Sequence, residues 1–118
     1  MNKFTSSPRV LAQSPFIGKA GEYIVLAELL LREFNAALVA VDSGTDILTE
    51  KNNRLIRIQV KTRRIGHDKK TSFLLGEKTL KNKNSFDFLI LVVRNILRVE
   101  EVKEAIFVFP RSVINKLI

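Results

Sequence analysis

A single α/β domain, a central mixed β-sheet flanked by helices, is the fold class this sequence predicts. Three observations carry it. They are a helical pattern from Phe16 to Phe34, a strictly alternating strand from Leu55 to Thr62, and a near-continuous apolar run from Phe86 to Val93. With 118 residues, of which 46% are hydrophobic, the chain has the size of one ordinary domain and can bury one core.

In the first stretch Ile17, Ala20, Ile24, Ala27, Leu31 and Phe34 recur at spacings of three and four, the mark of an amphipathic helix. Ser14 and Pro15 suit its N-cap and first position, and Asn35 is expected to end it. The preceding residues 1–15 hold two prolines and little pattern, so they read as a flexible basic arm on a domain spanning 16–118. After the helix, Ala37 to Val41 reads as a short strand, Asp42-Ser43-Gly44 as a turn, and Thr45 to Glu50 as a second strand. Asn52-Asn53 tolerates positive φ, so Lys51 to Arg54 predicts a tight hairpin.

Along Leu55 to Thr62, Ile56, Ile58 and Val60 point one way and Arg57, Gln59 and Lys61 the other. Arg63 to Lys70 is expected to be an exposed basic loop around Gly66. Thr71 to Leu75 looks like a further strand, followed by a polar connection carrying Lys78, Lys81 and Lys83. The run Phe86 to Val93 predicts a strand buried on both faces. Beyond it come Ile96 to Val99, a charged stretch from Glu100 to Glu104, a strand over Ala105 to Phe109, and a short helix opened by Pro110 and running to Ile118.

Composition narrows the function classes. The absence of cysteine excludes disulfides, thiolate-bound zinc, iron–sulfur clusters and thiol nucleophiles, and it fits a cytoplasmic protein. No continuous apolar stretch resembles a secretory signal or spans a bilayer, and no basic amphipathic helix is suited to a membrane surface. Twenty Lys and Arg against twelve Asp and Glu leave a net charge of +8, which makes nucleic acid the leading partner.

The chemistry concentrates in the hairpin. If Asn52 and Asn53 form its two-residue loop, Lys51 faces Arg54, and continuing the register places Asp46 opposite Gln59. Opposed residues share a face with Cβ atoms roughly 4.5–5.5 Å apart, and Lys61 joins them two residues on. A carboxylate, an amide oxygen and an ammonium then converge, while Ile47, Ile56, Ile58 and Val60 fill the other face. Hydrolysis of a phosphodiester needs a cation to offset charge on the phosphate, for which Asp and carbonyl oxygens are suitable hard ligands. Lys61 can steady the attacking water or the developing charge.

Gly44-Thr45-Asp46 followed thirteen residues on by Gln59-Val60-Lys61 resembles the split motif of the PD-(D/E)XK nuclease superfamily. Gly18-Lys19-Ala20-Gly21-Glu22 resembles the Gly-x-x-Gly-Glu segment of its small members, such as archaeal Holliday junction resolvases and some homing endonucleases. The resemblance spans roughly residues 16 to 110. It implies a restriction-endonuclease-like fold and a DNA endonuclease dependent on Mg²⁺, with Mn²⁺ as a substitute. Asp46, Gln59 and Glu22 are the implied metal ligands and Lys61 the implied water-positioning group. Two departures stand out: Thr45 replaces the proline of the name, and Gln59 replaces the usual Asp or Glu. A Gln carbonyl can ligate Mg²⁺ but brings no charge, so Glu22 would have to supply the missing carboxylate.

Each feature has a plain structural alternative. Asp46 follows Ser43-Gly44 as turn aspartates often do, Gln59 and Lys61 suit a solvated strand face, and Glu22 lies outside the main apolar stripe. The small residues Gly18 and Gly21 beside Glu22 would let the helix approach a backbone or a phosphate closely. Tyr23 reads as a packing residue, and His67 as a surface residue of the basic loop. Arg63, Arg64, Lys69, Lys70, Lys78, Lys81 and Lys83 follow the Lys61 strand and are candidates for DNA-backbone contact. Cutting both strands favours a homodimer. The rivals are a nucleic-acid-binding module of the same fold without hydrolysis, and a structural subunit of a nucleoprotein complex that docks through the apolar tail Ile114 to Ile118.

Overall fold

The structure, a computed structural model, describes residues 14–41, 44–64, 85–98 and 101–116. Helix α1 (Ser14–Leu31) leads into β1 (Asn35–Leu38), β2 (Ile47–Lys51), β3 (Arg54–Arg64), β4 (Phe88–Arg98), β5 (Glu101–Pro110) and the short helix α2 (Arg111–Asn115). Among the described residues the strands form one sheet in the order β1-β2-β3-β4-β5. It is mixed: β3 and β4 are parallel and the other three pairs antiparallel. The predicted class therefore holds.

The hairpin forms as its asparagines require. Asn52 and Asn53 both take left-handed conformations, with φ of 54° and 63°. Lys51 pairs with Arg54 and Ile47 with Ile58, the register read from the sequence. Two-residue loops of this kind match the twist of the strands they join.

Helix α1 begins two residues earlier than the predicted domain boundary. It stops sooner than expected and for a different reason. Glu33 takes φ 66° while Phe34 N–H donates to Leu29 O at 2.9 Å and Glu33 N–H to Leu30 O at 3.0 Å, a Schellman close that satisfies the last carbonyls. Asn35 instead opens β1, so the expected strand over 37–41 is shifted toward the N-terminus. The buried face of α1 also differs from the predicted stripe. Val25 is sealed while Ala27 and Leu31 are exposed, because the helix rests on β3 through Gly21. Tyr23, expected to pack, is 56% exposed.

The sheet carries a core on each face. On one, Val25 of α1 meets Ile47, Ile58, Val60, Ile90 and Val92. On the other, Phe86 and Leu89 pack against Ile114 of α2, with Leu91 and Phe109 alongside. Burying each such side chain stabilises the fold by about 1.5–3 kcal/mol before entropy is counted. Ile114 is 2% exposed, so the C-terminal apolar segment is no free docking tail at this residue.

The start of the expected basic loop and the charged stretch after residue 100 are both strand. Arg63 and Arg64 extend β3, and Glu101 to Glu104 begin β5, where Arg94 of β4 faces Glu104 and binds it at 3.0 Å. That cross-strand pairing explains how a charged run enters a sheet. The expected strand Thr71 to Leu75, together with His67, Lys69, Lys70, Lys78, Lys81 and Lys83, lies outside the described residues, as do 1–13 of the basic arm. Among the described residues no helix is long and apolar enough to cross a membrane.

Candidate active site

Asp46 is set in place by the two residues before it. Gly44 has φ 95°, a conformation that favours glycine, and a Cβ there would lie 2.6 Å from Cβ of Ser85. The Thr45 hydroxyl donates to the carbonyl of Ser85, tying the segment to the approach to β4. Asp46 is buried at 8% exposure. Its N–H donates to Ile58 O at 2.8 Å and its carbonyl accepts from Val39 N–H at 2.9 Å.

The ladder changes character at this residue. Ile47 faces Ile58 in the regular register, yet Asp46 N–H reaches the same Ile58 carbonyl rather than Gln59. The carboxylate then takes over where β2 ends: Asp46 Oδ2 accepts from Val60 N–H at 2.8 Å. A side chain thus satisfies a backbone donor that would otherwise be stranded in the core. The same bond holds an acid against the peptide between Gln59 and Val60, one residue from Lys61.

Gln59 and Lys61 project from β3 on the side of Leu89 and Leu91, their parallel partners in β4. Gln59 was expected on an exposed face but is 7% exposed, because the second core closes over that side of the sheet. Its Oε1 is buried with no hydrogen-bond partner. An orphaned acceptor of this kind costs about 1–3 kcal/mol. Lys61 is half-buried, and among the described residues no acid pairs with it.

Glu22 arrives from the opposite side. Helix α1 covers the face bearing Val60 and Thr62, and a Cβ on Gly21 would meet Thr62 Oγ1 at 1.7 Å. The expectation of close approach is thus met by Gly21, whereas Gly18 has open space around it. Glu22 is partly buried and held by Lys19, Nζ to Oε1 3.1 Å. The hydrogen bond and charge of Glu22 raise the Lys19 pKa above its ordinary value, with smaller upward contributions from Tyr23 and Asp46.

The donor set can be tested against a divalent cation. Asp46 and Glu22 offer carboxylates and Gln59 an amide oxygen, all hard ligands. Among the described residues no three of His, Cys, Asp and Glu gather to hold a metal, so the third oxygen has to be the amide. A buried, unpartnered Gln59 Oε1 is what such a site would leave on the protein side. The residues fit.

The fold has a solved counterpart. It is similar to that of a bacterial homing endonuclease, with a TM-score of 0.62 over 89% of this chain and 74% of that one, at 14% identity. At that identity the likeness is one of fold. No family model matches the chain, and no curated protein matches it.

Sequence reasoning passed over Asp87 and Ser85. Asp87 Oδ2 accepts from Arg57 N–H at 2.8 Å, its carboxylate binds the Arg57 guanidinium at 3.1 Å, and its own N–H donates to Arg57 O at 2.8 Å. The carbonyl of Asp87 also accepts from Arg111 N–H at 2.8 Å. The Arg57 hydrogen bond holds the Asp87 carboxyl below its ordinary value. The signal was present as Ser85-Phe86-Asp87 before an apolar strand, but its partners lie about thirty residues away.

Proposed function

We propose that this chain is a metal-dependent DNA endonuclease of the PD-(D/E)XK type. The observation that carries the proposal is the buried, unpartnered Oε1 of Gln59 next to a peptide that Asp46 holds by Val60 N–H. A fold that only needed stability would place an apolar residue at position 59. The fold likeness to a homing endonuclease and the net charge of +8 support a nucleic-acid substrate.

Asp46, Gln59 and Glu22 would hold Mg²⁺, or Mn²⁺ in its place, with Glu22 turning from Lys19. The cation supplies neutralisation of the scissile phosphate and a more acidic water. Asp46 and Gln59 orient the reacting group at the mouth of β3. The Lys61 ammonium donates to the oxygen of the attacking water or to a phosphate oxygen as charge develops there. Arg63 and Arg64, further along the strand, meet the adjoining backbone. A symmetric homodimer would present two such sites to the two strands of a duplex.

A second reading is a binding module of the same fold without hydrolysis. It is favoured by the neutral amide at position 59 and by the capture of Glu22 by Lys19. Cleavage of plasmid and four-way-junction DNA with Mg²⁺ or Mn²⁺ separates the two. Native protein should cut, and Lys61→Ala should bind equally well but cut on the order of 10²–10³-fold more slowly. Binding without cutting by the native protein selects the module.

A further inference from the structure

Helix α1 is apolar on two sides. Its inner side, with Gly21 and Val25, rests on the sheet. At about 100° per residue, Phe16, Ala20, Tyr23, Ala27 and Leu30 all lie about 140–180° from Val25, on the outer side. Phe16, Tyr23 and Leu30 are each more than half exposed, and Ala27 is exposed with them. Their spacings of four, three, four and three are those of a heptad seam, which helices use to pack on helices. A surface helix needs one apolar stripe, and one that is apolar all round is ordinarily buried all round. Ala20 and Ala27, which the sequence pattern groups with the core-facing stripe, belong to this second face.

We infer that a second copy of this chain docks on this face, its α1 antiparallel to the first. With Tyr23 set against Ala27 of the second copy, the same register sets Ala20 against its Leu30, and two-fold symmetry repeats both contacts. Each pair puts a large side chain against a small one, the interlocking that dense packing needs. The register also brings Lys19, on the flank of the stripe, level with the end of the second copy's α1. Exposed Glu33 and the negative end of the helix dipole lie there. Lys19 already holds Glu22, but an ammonium has three donors. A parallel pairing would set Tyr23 on Tyr23, Ala27 on Ala27 and Lys19 on Lys19. Complementarity of size and charge with itself therefore selects a second, antiparallel copy as the occupant, whereas a phosphate backbone would gain nothing from an apolar stripe. The face gives a surface to the homodimer of the proposed nuclease, and it rests on that reading only for what the dimer is used for.

The test is light scattering on the full chain over a range of protein concentrations, with circular dichroism to show that each variant folds. Native protein is expected to run as a dimer and Tyr23→Glu as a folded monomer. The chain has no cysteine, so single cysteines report the register. Ala20→Cys mixed with Leu30→Cys should form a disulfide-linked dimer under oxidation. Neither should do so alone, because ten residues of helix, about 15 Å, separate like positions in the antiparallel pair. A monomeric native protein, a dimer that Tyr23→Glu leaves intact, or single variants that crosslink by themselves would overturn the inference. DNA cleavage is a separate readout: a native dimer of this register that cuts nothing ends the nuclease reading and leaves the docking face standing.

Discussion

The two halves of β3 are built to different ends. In the first, Arg54 to Ile58, none of the buried side-chain polar atoms lacks a partner, and Arg57 is clasped by Asp87 through both backbone and guanidinium. In the second, Gln59 to Arg64, three buried polar atoms do: Gln59 Oε1, Thr62 Oγ1 and Arg64 Nη1. The first half pairs with β2 and the second with β4, and the strand is satisfied at one end and unsatisfied at the other. Unpaired buried groups reduce stability, so their concentration in one half separates the part that holds the sheet together from the part that awaits a ligand.

The comparison can be broken most severely at the contact between α1 and the second half. Gly21→Ala would drive a methyl group into Thr62, whose short side chain cannot swing away. The expected cost is about 2–3 kcal/mol in chemical denaturation, with α1 displaced from β3. A loss below half of this would mean that the helix does not press on the strand as closely as the contact implies.

In the first half, Asp87→Ala should cost about 1–2 kcal/mol, a range lowered because the Arg57–Asp87 pair is partly exposed to solvent screening. The pH dependence has a definite sign. Asp87 is held below its ordinary 3.8, so its contribution is complete above that value and fades as pH falls through the lower folded value. Melting curves of native and variant proteins should therefore differ at pH 6 and converge in stronger acid.

The second half should respond in the opposite direction. Gln59→Leu replaces an orphaned polar group by an apolar one of similar size. It is expected to raise stability by about 1 kcal/mol. Deletion in one half would thus destabilise and replacement in the other stabilise, sharpening the contrast with a single pair of variants.

Much of the hairpin was legible because its signals are local. Asn52-Asn53 dictates a two-residue turn, and the alternation of Ile56, Ile58 and Val60 fixes the register, so a one-residue slip would bury Arg57 and Lys61 in the α1 core. The candidate site was legible as residue types at a spacing, and the structure sets Asp46 against the peptide between Gln59 and Val60. What stayed hidden depends on distant or unusual partners. Glu33 ends α1 in a left-handed conformation that a sequence normally announces with glycine. Arg63 and Arg64 read as loop because charge was taken for solvent exposure, whereas parallel pairing with Val93 and Arg94 keeps them in the sheet. Burial of Gln59 could not be read from alternation alone, because it depends on the Phe86, Leu89 and Ile114 cluster assembled from the far end of the chain.

The central claim is that the unpartnered Gln59 oxygen, with Asp46, marks a cation site. Calorimetric titration of Mn²⁺ into native protein and Gln59→Leu tests it most directly, since it needs neither a DNA substrate nor turnover. The account predicts saturable binding at one ion per chain in the native protein, weakened at least tenfold in the more stable Gln59→Leu. Equal affinity in the two proteins, or no binding to the native one, would contradict it.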